Sequence, residues 1–412
     1  MSFYDIKISN VGCEINAFPY STARRKERLM KNCKVGILGT GVISRTYAGD
    51  IKEFYKKLEI DACADINTEA AQKLSSEFGI PRVLSVDEIL EDPSIDIIIN
   101  LTPPQFHLEL SKKILSAGKH LFSEKPFAAT LEDARSILDL AKERSLYVGC
   151  APDTFLSSGL QSVRHYLDDD LIGKPFFVTA NMTTFGVETW HRNPRAFYMK
   201  TAGPIYDMAP YYISAIVSLL GPIDSITALS CKGHEVRHIY VGPDEGKELV
   251  PETDTHYSAV MRLKSGAVVN LNVSFDIYRS NLPMFEIYGS EGTLTYPDPN
   301  FGGGSPCIYR KEQFTDTVYN KSEDAIKRSE SFVTLPELFP RVKDYSRGIG
   351  VLDLADAIEK GRDPRTSGDF ILHVTEALEG IIKSADNNET YKMTTTCERP
   401  EPLKPGTNMG EI

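Results

Sequence analysis

The chain has 412 residues, of which 41% are hydrophobic, and its formal net charge is −11. The length predicts two to three domains, each large enough to bury a core of its own. The acidic balance argues against nucleic acid and anionic membranes as partners, because the sequence has no basic stripe to meet them. No apolar run is long enough to cross a bilayer, and residues 1–20 lack the apolar segment of a signal peptide.

The cysteines predict a reducing environment. All seven are widely spaced, and they form neither a CxxC pair nor a zinc-binding pattern. We therefore expect reduced thiols and a cytoplasmic location. Because no group of His, Cys and Asp residues has metal-ligand spacing, we also expect chemistry without a metal ion.

Residues 1–32 show no clear hydrophobic period. A charged run at residues 24–28 lies just before Met30, and it resembles a translated ribosome-binding site. Two interpretations stay open: a non-native leader before a native start at Met30, or a short N-terminal arm. The intact mass of the protein from its natural host distinguishes them, because a mass that includes residues 1–29 excludes the leader.

Residues 33–150 alternate between short apolar strands and helical segments. The predicted strands are Lys34–Leu38, Leu58–Ala64, Ile95–Ile99, His120–Phe122 and Leu146–Gly149. The predicted helices are one after Ser44, Thr68–Phe78 with Thr68 as N-cap and Gly79 as stop, Gln105–Ala117 and Leu131–Glu143. This alternation predicts a doubly wound α/β unit of the Rossmann type, with a parallel sheet.

Residues 151–385 follow a different pattern, with hairpin links such as Lys264–Gly266. The predicted strands are Phe176–Thr183, Thr255–Leu263, Ala267–Phe275, Phe285–Tyr288 and Gly292–Tyr296. The predicted helices are Asp207–Leu220, Asp344–Lys360 and Asp369–Ala385. We expect a second α+β domain on an open, mostly antiparallel sheet. Residues 386–412 are predicted to form a tail, loose from Cys397 onward.

A glycine fingerprint follows the first strand and opens a helix. Gly39 is suited to a tight turn, and Gly41 lets the backbone approach a pyrophosphate at the helix N-terminus. Thr40, Val42 and Ile43 complete this cofactor-binding loop. Ser44 occupies the third glycine position, which predicts slightly looser packing between helix and strand.

An acidic residue stands where a ribose-binding carboxylate is expected. Asp65 ends the next strand, 24 positions after Gly41, which is close to the ~20 expected for an acid bound to the ribose 2′-hydroxyl. Ile66 and Asn67 follow it, so no adjacent cation offsets its repulsion of a 2′-phosphate. The sequence therefore predicts NAD as the cofactor and makes NADP the weaker alternative.

Three further motifs complete a family pattern: Asn100–His107, Glu124–Pro126 and Gly203–Tyr211. With the glycine fingerprint, their order and spacing over about residues 33–385 resemble the glucose–fructose oxidoreductase and inositol dehydrogenase family (Gfo/Idh/MocA-type oxidoreductases). The resemblance implies a nicotinamide cofactor in the Rossmann unit and a cyclic sugar or polyol as substrate. It also implies that the second domain shapes the substrate site and builds the interface of a homodimer or homotetramer.

The resemblance also implies roles for individual residues. Lys125 would lie near the nicotinamide and polarise the reacting oxygen, and Asp207 would belong to the substrate site. The residues implied to contact the cofactor are Thr102, Pro103, His107, Glu124 and Lys125 itself.

The position four residues after Asp207 departs from the family pattern. Members of the family commonly have a histidine there as general base, whereas this chain has Tyr211. A tyrosine titrates near pH ~10 and needs a neighbouring cation to favour its phenolate, a role that Lys125 would fill. His191 is the alternative base, and the adjacent Trp190 suggests an edge on which a sugar stacks. Asp153, beyond the end of the Rossmann unit, is a further residue expected to face the substrate cleft.

These predictions favour an oxidoreductase that transfers a hydride between NAD and the CH–OH group of a cyclic sugar, sugar derivative or polyol. Two alternatives stay open. A relative on the same fold could use transient oxidation to cleave a glycoside by elimination, or the chain could sense a dinucleotide without turnover. Retention of Lys125 and Asp207 argues against a sensor, because a sensor needs neither.

Overall fold

The structure is a computed structural model that describes residues 32–319, 322–323 and 331–412. The two interpretations of the N-terminal segment concern residues outside these ranges. Within them, two large sheets organise the chain, one of six strands and one of nine.

The first sheet is parallel throughout and has the strand order β3-β2-β1-β4-β5-β6. Its strands are β1 Cys33–Leu38, β2 Leu58–Ala64, β3 Arg82–Leu84, β4 Ile97–Asn100, β5 His120–Ser123 and β6 Val148–Cys150. Its helices are α1 Val42–Phe54, α2 Thr68–Phe78, α3 Val86–Glu91, α4 His107–Ser116 and α5 Leu131–Glu143. This order confirms the predicted Rossmann architecture, in which a dinucleotide binds where the strand order reverses, between β1 and β4.

The second sheet has the order β16-β15-β14-β13-β7-β12-β11-β8-β17, and only the pair β7 and β12 is parallel. Its strands are β7 Pro175–Thr183, β8 Ile223–Cys231, β11 His256–Leu263, β12 Val268–Ser274, β13 Phe285–Gly289, β14 Gly292–Tyr296, β15 Cys307–Arg310, β16 Val333–Thr334 and β17 Tyr391–Lys392, while β9 Arg237–His238 and β10 Glu248–Leu249 form a separate hairpin. The remaining helices are α6 Ser158–Asp168, α7 Gly203–Asp207, α8 Ala209–Leu220, α9 Lys311–Tyr319, α10 Ile349–Lys360 and α11 Gly368–Asn387. The predicted open, mostly antiparallel sheet is therefore confirmed.

Three local predictions were wrong. The side chain of Asn67, not that of Thr68, caps α2 by accepting from the amide of Ala70. The predicted helix Asp207–Leu220 is two helices that meet at Met208, because Pro210 lies in the first turn of α8 and cannot continue the hydrogen bonding of α7.

The third wrong prediction concerns the tail. Leu403 is buried and its amide donates to Gln161 Oε1 at 2.8 Å, while its carbonyl oxygen lies 2.6 Å from Nε2 of His165. The last residue, Ile412, is also buried. The tail therefore packs against the rest of the chain. Residues 399–403 lie along α6, and Gly410 lies against Phe54 at the end of α1.

Candidate active site

The turn after β1 is built around Gly39. Its φ of +95° is left-handed, and an added Cβ would lie 2.7 Å from the backbone of Leu101 and Thr102. Only glycine avoids both the strain and this clash. The turn therefore lies tightly against the strand end of β4, on the other side of the point where the strand order reverses.

Gly41 stands where α1 begins, and a Cβ on it would meet nothing within 4 Å. Within the described ranges, no side chain caps α1, so its first amide groups are left for another acceptor. Ser44, in the third glycine position, is buried, and its hydroxyl donates to the Gly41 carbonyl at 2.6 Å. We call residues 39–43 the glycine loop.

Asp65 ties the glycine loop to the end of β2. Its Oδ2 accepts from the amide of Thr40 at 2.7 Å and from the Thr40 hydroxyl at 2.9 Å. Its Oδ1 accepts from the amide of Asn67 at 2.8 Å. The next side chain, Ile66, is 91% exposed. The carboxylate is thus held at the rim of the loop beside an open apolar surface.

His107 joins two turns at the carboxyl edge of the sheet. Its ring is buried, with Nδ1 2.7 Å from the Pro126 carbonyl oxygen and Nε2 2.8 Å from that of Thr102. Burial lowers the pKa of His107. Since both ring nitrogens face carbonyl groups, no polar atom of this ring is left for a cofactor, and a contact of His107 with the cofactor stays a prediction. Its contacts brace the turn that carries Thr102 and Pro103.

Glu124 links the glycine loop's helix to the lysine that follows it. Its Oε1 accepts from the hydroxyl of Tyr47, on α1, at 2.9 Å, and its Oε2 accepts from the amide of Lys125 at 2.8 Å. Both side chains are buried, and burial, followed by the Glu124 charge, raises the pKa of Tyr47. The carboxylate therefore fixes the backbone from which Lys125 projects.

Lys125 and Asp207 form a close ion pair between the two domains. The ammonium Nζ lies 2.7 Å from Oδ1 of Asp207 and 2.6 Å from its carbonyl oxygen. Each side chain is only 16% exposed. Burial opposes the charged form of Lys125, but Asp207, Tyr211 and Glu124 together outweigh it and raise the pKa of this lysine. Lys125 is thus a cation held in place at the carboxyl edge of the sheet.

Tyr211 lies beside this pair, although the helix break at Met208 separates it from Asp207. The ammonium of Lys125 is 5.4 Å from the centre of its ring. Burial raises the pKa of Tyr211, and the Arg347 and Lys125 cations only oppose this rise. Lys125 therefore favours the phenolate as expected, but burial has the larger effect, and the pKa of Tyr211 is raised instead of lowered.

Sequence reasoning missed Arg347, which lies just before α10. Its Nη2 donates to the Tyr211 hydroxyl oxygen at 3.2 Å and to Oδ1 of Asn300 at 2.8 Å. No motif marks this arginine, since it precedes an ordinary helix far along the chain from the other site residues. We call Lys125, Asp207, Tyr211 and Arg347 the lysine cluster.

The prediction that Asp153 faces the substrate cleft is wrong. It is fully buried, and its Oδ2 accepts from the amides of Gly348 at 3.1 Å and Gly350 at 2.8 Å. Burial raises the pKa of this carboxyl. Its visible role is to cap the N-terminus of α10, which begins two residues after Arg347.

Trp190 and His191 lie on the loop that follows β7. Trp190 is 65% exposed, and the His191 ring contacts both Trp190 and Phe197. Nδ1 of His191 accepts from the amide of Asn193 at 3.1 Å. In the part of the chain that the structure describes, no hydrogen bond joins this loop to the lysine cluster. The structure therefore brings Tyr211, and not the alternative base His191, to Lys125.

Two kinds of feature are absent from the residues that the structure describes. No group of three or more His, Cys, Asp and Glu side chains there could hold a metal ion. None of the helices there combines the length and the apolar character needed to cross a membrane.

The chain is similar to known protein families and to individual proteins. Residues 33–151 match the GFO/IDH/MocA family described as "Oxidoreductase family, NAD-binding Rossmann fold", and residues 160–295 match the GFO/IDH/MocA C-terminal domain. An uncharacterised protein of Saccharomyces cerevisiae is 29% identical over 212 residues, which cover 49% of this chain and 59% of that protein. The chain thus spans less than two thirds of that relative.

Two further similarities involve levoglucosan dehydrogenase. The enzyme of Pseudarthrobacter phenanthrenivorans is 24% identical over 292 residues, covering 65% of this chain and 74% of that enzyme. A solved apo form of a levoglucosan dehydrogenase has a TM-score of 0.73 at 20% identity, covering 89% of this chain and 100% of the other. The structural similarity supports the fold.

Proposed function

The chain belongs to the GFO/IDH/MocA family of NAD-binding oxidoreductases, and on this premise we propose that it transfers a hydride between NAD and the CH–OH group of a cyclic sugar, sugar derivative or polyol. The observation that carries the proposal is the ion pair of Lys125 and Asp207, with Tyr211 beside it. A buried cation next to an ionisable hydroxyl is an arrangement suited to an alcohol that becomes a carbonyl.

The glycine loop fits a dinucleotide. The open space beside Gly41 lets a pyrophosphate approach the backbone, and the uncapped start of α1 offers it amide groups and the positive end of a helix. Bound NAD supplies the hydride acceptor. The residues that would hold it are Gly39, Thr40, Gly41, Val42, Ile43, Asp65, Thr102, Pro103, Glu124 and Lys125.

We propose NAD in preference to NADP because of Asp65. Three bonds hold its carboxylate at the end of β2, so it cannot swing aside for a 2′-phosphate without breaking them. The exposed Ile66 offers no cation to a phosphate and suits an apolar contact with a base.

Lys125 has the donors that a reacting oxygen requires. An ammonium group carries three N–H bonds, and Asp207 accepts two of them. The third is left to donate to the substrate oxygen and to stabilise the negative charge that grows there as its proton leaves. Tyr211 is the proposed proton acceptor.

The test is a panel of cyclic sugars and inositols assayed with NAD and with NADP, followed by absorbance of the reduced cofactor. The proposal expects NADH formation on at least one sugar or polyol, with loss of that activity in Lys125→Met. Release of sugar from an aryl glycoside without net NADH would instead support the glycoside-cleaving alternative. Dinucleotide binding without turnover on any substrate would support the sensor.

The outer face of the second sheet supports a proposed homodimer or homotetramer. Leu229 on β8 is 63% exposed and Val260 on β11 is 53% exposed, on neighbouring strands of that sheet. Apolar side chains presented together in this way suit a self-association surface. Analytical ultracentrifugation of Leu229→Arg tests this, since the proposal expects weaker association at unchanged fold. A cytoplasmic location stays a prediction from the cysteine pattern.

A further inference from the structure

Arg347 is a buried cation with an unusual set of neighbours. Its side chain is 1% exposed, and among the described residues no carboxylate lies within 4.0 Å of its guanidinium. Its Nε also lacks a hydrogen-bond partner within those residues. Buried charges are normally paired, because an isolated one is costly to desolvate. The position of this arginine therefore calls for a functional explanation.

The neighbours of Arg347 hold its guanidinium in one orientation. Its Nη2 donates to Oδ1 of Asn300 at 2.8 Å, and its Nη1 donates to the Ser346 carbonyl oxygen at 2.9 Å. Its backbone amide donates to Oδ2 of Asp50 at 2.8 Å. These contacts come from two distant segments and from the residue directly before Arg347, and they leave Nη2 3.2 Å from the Tyr211 hydroxyl oxygen.

Tyr211 is consequently enclosed between two cations. The Arg347 guanidinium carbon is 5.2 Å from the centre of the tyrosine ring, and the Lys125 ammonium nitrogen is 5.4 Å from it. The other charged or titratable groups that face it are Glu124 and Tyr345, and both oppose the phenolate. Of the two cations, Arg347 favours the phenolate more strongly and is the one that donates to the tyrosine oxygen, although the Asp153 and Glu124 carboxylates also face this arginine.

We infer that Arg347 is a positioning residue that orients Tyr211 and stabilises its phenolate, so that Tyr211 can accept the hydroxyl proton of the substrate. A guanidinium only donates hydrogen bonds, so it holds the tyrosine oxygen from one side and turns the tyrosine O–H away from itself. The inference rests on the proposed function for the identity of the substrate, but not for the contact between the two side chains.

The proposed step balances. The substrate O–H proton passes to the Tyr211 phenolate oxygen, the C–H hydride leaves to the oxidised dinucleotide, and the C–O bond becomes a carbonyl. The products are a neutral tyrosine, the reduced dinucleotide and the ketone or lactone. Before the next turnover, Tyr211 must lose its proton again, and a fixed guanidinium favours that loss.

The first experiment titrates the free full-length chain and needs no substrate. The ionisation of Tyr211 is isolated, from the 19 tyrosines of the chain, as the ultraviolet difference between a protein and its Tyr211→Phe counterpart. In Arg347→Met we expect an ionisation constant about tenfold smaller, so that Tyr211 titrates at higher pH. Arg347→Lys keeps the charge and is expected to restore most of the shift.

Two matched variants separate this effect from a structural one. Tyr212→Phe removes a neighbouring buried hydroxyl that donates to Asp298, and Arg164→Met removes a buried guanidinium on α6. Neither is expected to move the Tyr211 titration. An unchanged titration in Arg347→Met, or a wild-type Tyr211 that never ionises before the chain unfolds, would overturn the inference.

The second experiment is the pH dependence of kcat/KM on whichever sugar is oxidised. Activity that requires the phenolate rises with pH, so loss of Arg347 is expected to move the rising limb to higher pH by about one unit, while KM changes much less. A uniform loss of rate at every pH would indicate a structural role and overturn the inference. Failure of every sugar would count against the proposed function alone, since the titration above still tests Arg347.

Discussion

The glycine loop and the lysine cluster lie at the same edge of the first sheet, yet they are built in opposite ways. The glycine loop is a short stretch that works through backbone: a left-handed turn at Gly39 and open space at Gly41. The lysine cluster works through charged and polar side chains from separate parts of the chain, including the largely buried Lys125 and the fully buried Arg347. The contrast teaches that shape governs the first region, and buried charge the second.

The largest expected effect tests the charge of the lysine cluster. Lys125→Met removes the donor to the reacting oxygen, and we expect kcat/KM to fall by about 10³-fold, a size typical of a lost oxyanion stabiliser. The affinity for NAD, measured by calorimetry, is expected to change far less. Lys142→Met, on the exposed face of α5, is the control.

Lys125→Met also leaves the Asp207 carboxylate without its partner. Asp207 would then be a poorly solvated, unpaired charge, so stability is expected to fall as well. The double variant Lys125→Met/Asp207→Asn removes this cost and is expected to recover stability without recovering rate. Recovery of the rate would mean that the lysine only neutralises Asp207.

The second prediction compares the same substitution at two positions of the glycine loop. Gly39→Ala meets both a left-handed φ and the backbone of Leu101, so we expect the free energy of unfolding to fall by about 2–3 kcal/mol. Gly41→Ala meets nothing within 4 Å, so we expect stability to change by less than about 0.5 kcal/mol while NAD binding weakens. Chemical denaturation and calorimetry measure the two effects. Equal stability losses in both variants would contradict the assignment of Gly41 to the ligand.

These two regions also differed in how far the sequence revealed them. Gly39, Gly41 and Asp65 lie in one βαβ unit, where local spacing constrains the geometry. The motif therefore placed them correctly at the carboxyl ends of two neighbouring strands. Arg347 could not be found in this way, because its meeting with Tyr211 depends on how distant segments pack. The helix break at Met208 could have been predicted from the sequence, because Pro210 favours the first turn of a new helix.

The second domain shows the same limit. Strand β8, in the second sheet, was missed because its alternation is masked by polar residues such as Asp224 and Ser225, and Ser225 is in fact buried. Helix α6 was missed for a similar reason, since its buried face includes Ser158, Gln161 and Ser162. Burial of polar residues depends on tertiary hydrogen bonds, such as that of Gln161 with Leu403, which no local pattern contains.

The third prediction tests whether charge also matters at the rim of the glycine loop. Asp65→Asn removes the negative charge but keeps an oxygen that can accept from Thr40. We expect the ratio of kcat/KM with NADP to that with NAD to rise about tenfold, equivalent to about 1.4 kcal/mol of reduced repulsion. Asp87→Asn, exposed on α3, should leave the ratio unchanged. An unchanged ratio in Asp65→Asn would mean that shape alone excludes the 2′-phosphate.

The smallest expected effect concerns Tyr47, whose hydroxyl joins α1 to Glu124 and so connects the two regions. Tyr47→Phe removes one buried hydrogen bond, and we expect a stability loss of about 1 kcal/mol in chemical denaturation. Glu124 also accepts from the amide of Lys125, so a loosened carboxylate should lower kcat/KM by about threefold. Tyr166→Phe, whose hydroxyl contacts the distant Pro336 carbonyl, is the control.

The combination of Tyr47→Phe with Gly41→Ala decides whether the two regions are independent. If shape and charge act separately, the losses in kcat/KM multiply and the coupling free energy is near zero. If Glu124 transmits the position of α1 to Lys125, the double variant is less impaired than the product of the single variants, because the first change has already loosened the link. A coupling free energy of more than about 0.5 kcal/mol would therefore contradict the independence of the two regions. The glycine loop and the lysine cluster would then act as one unit.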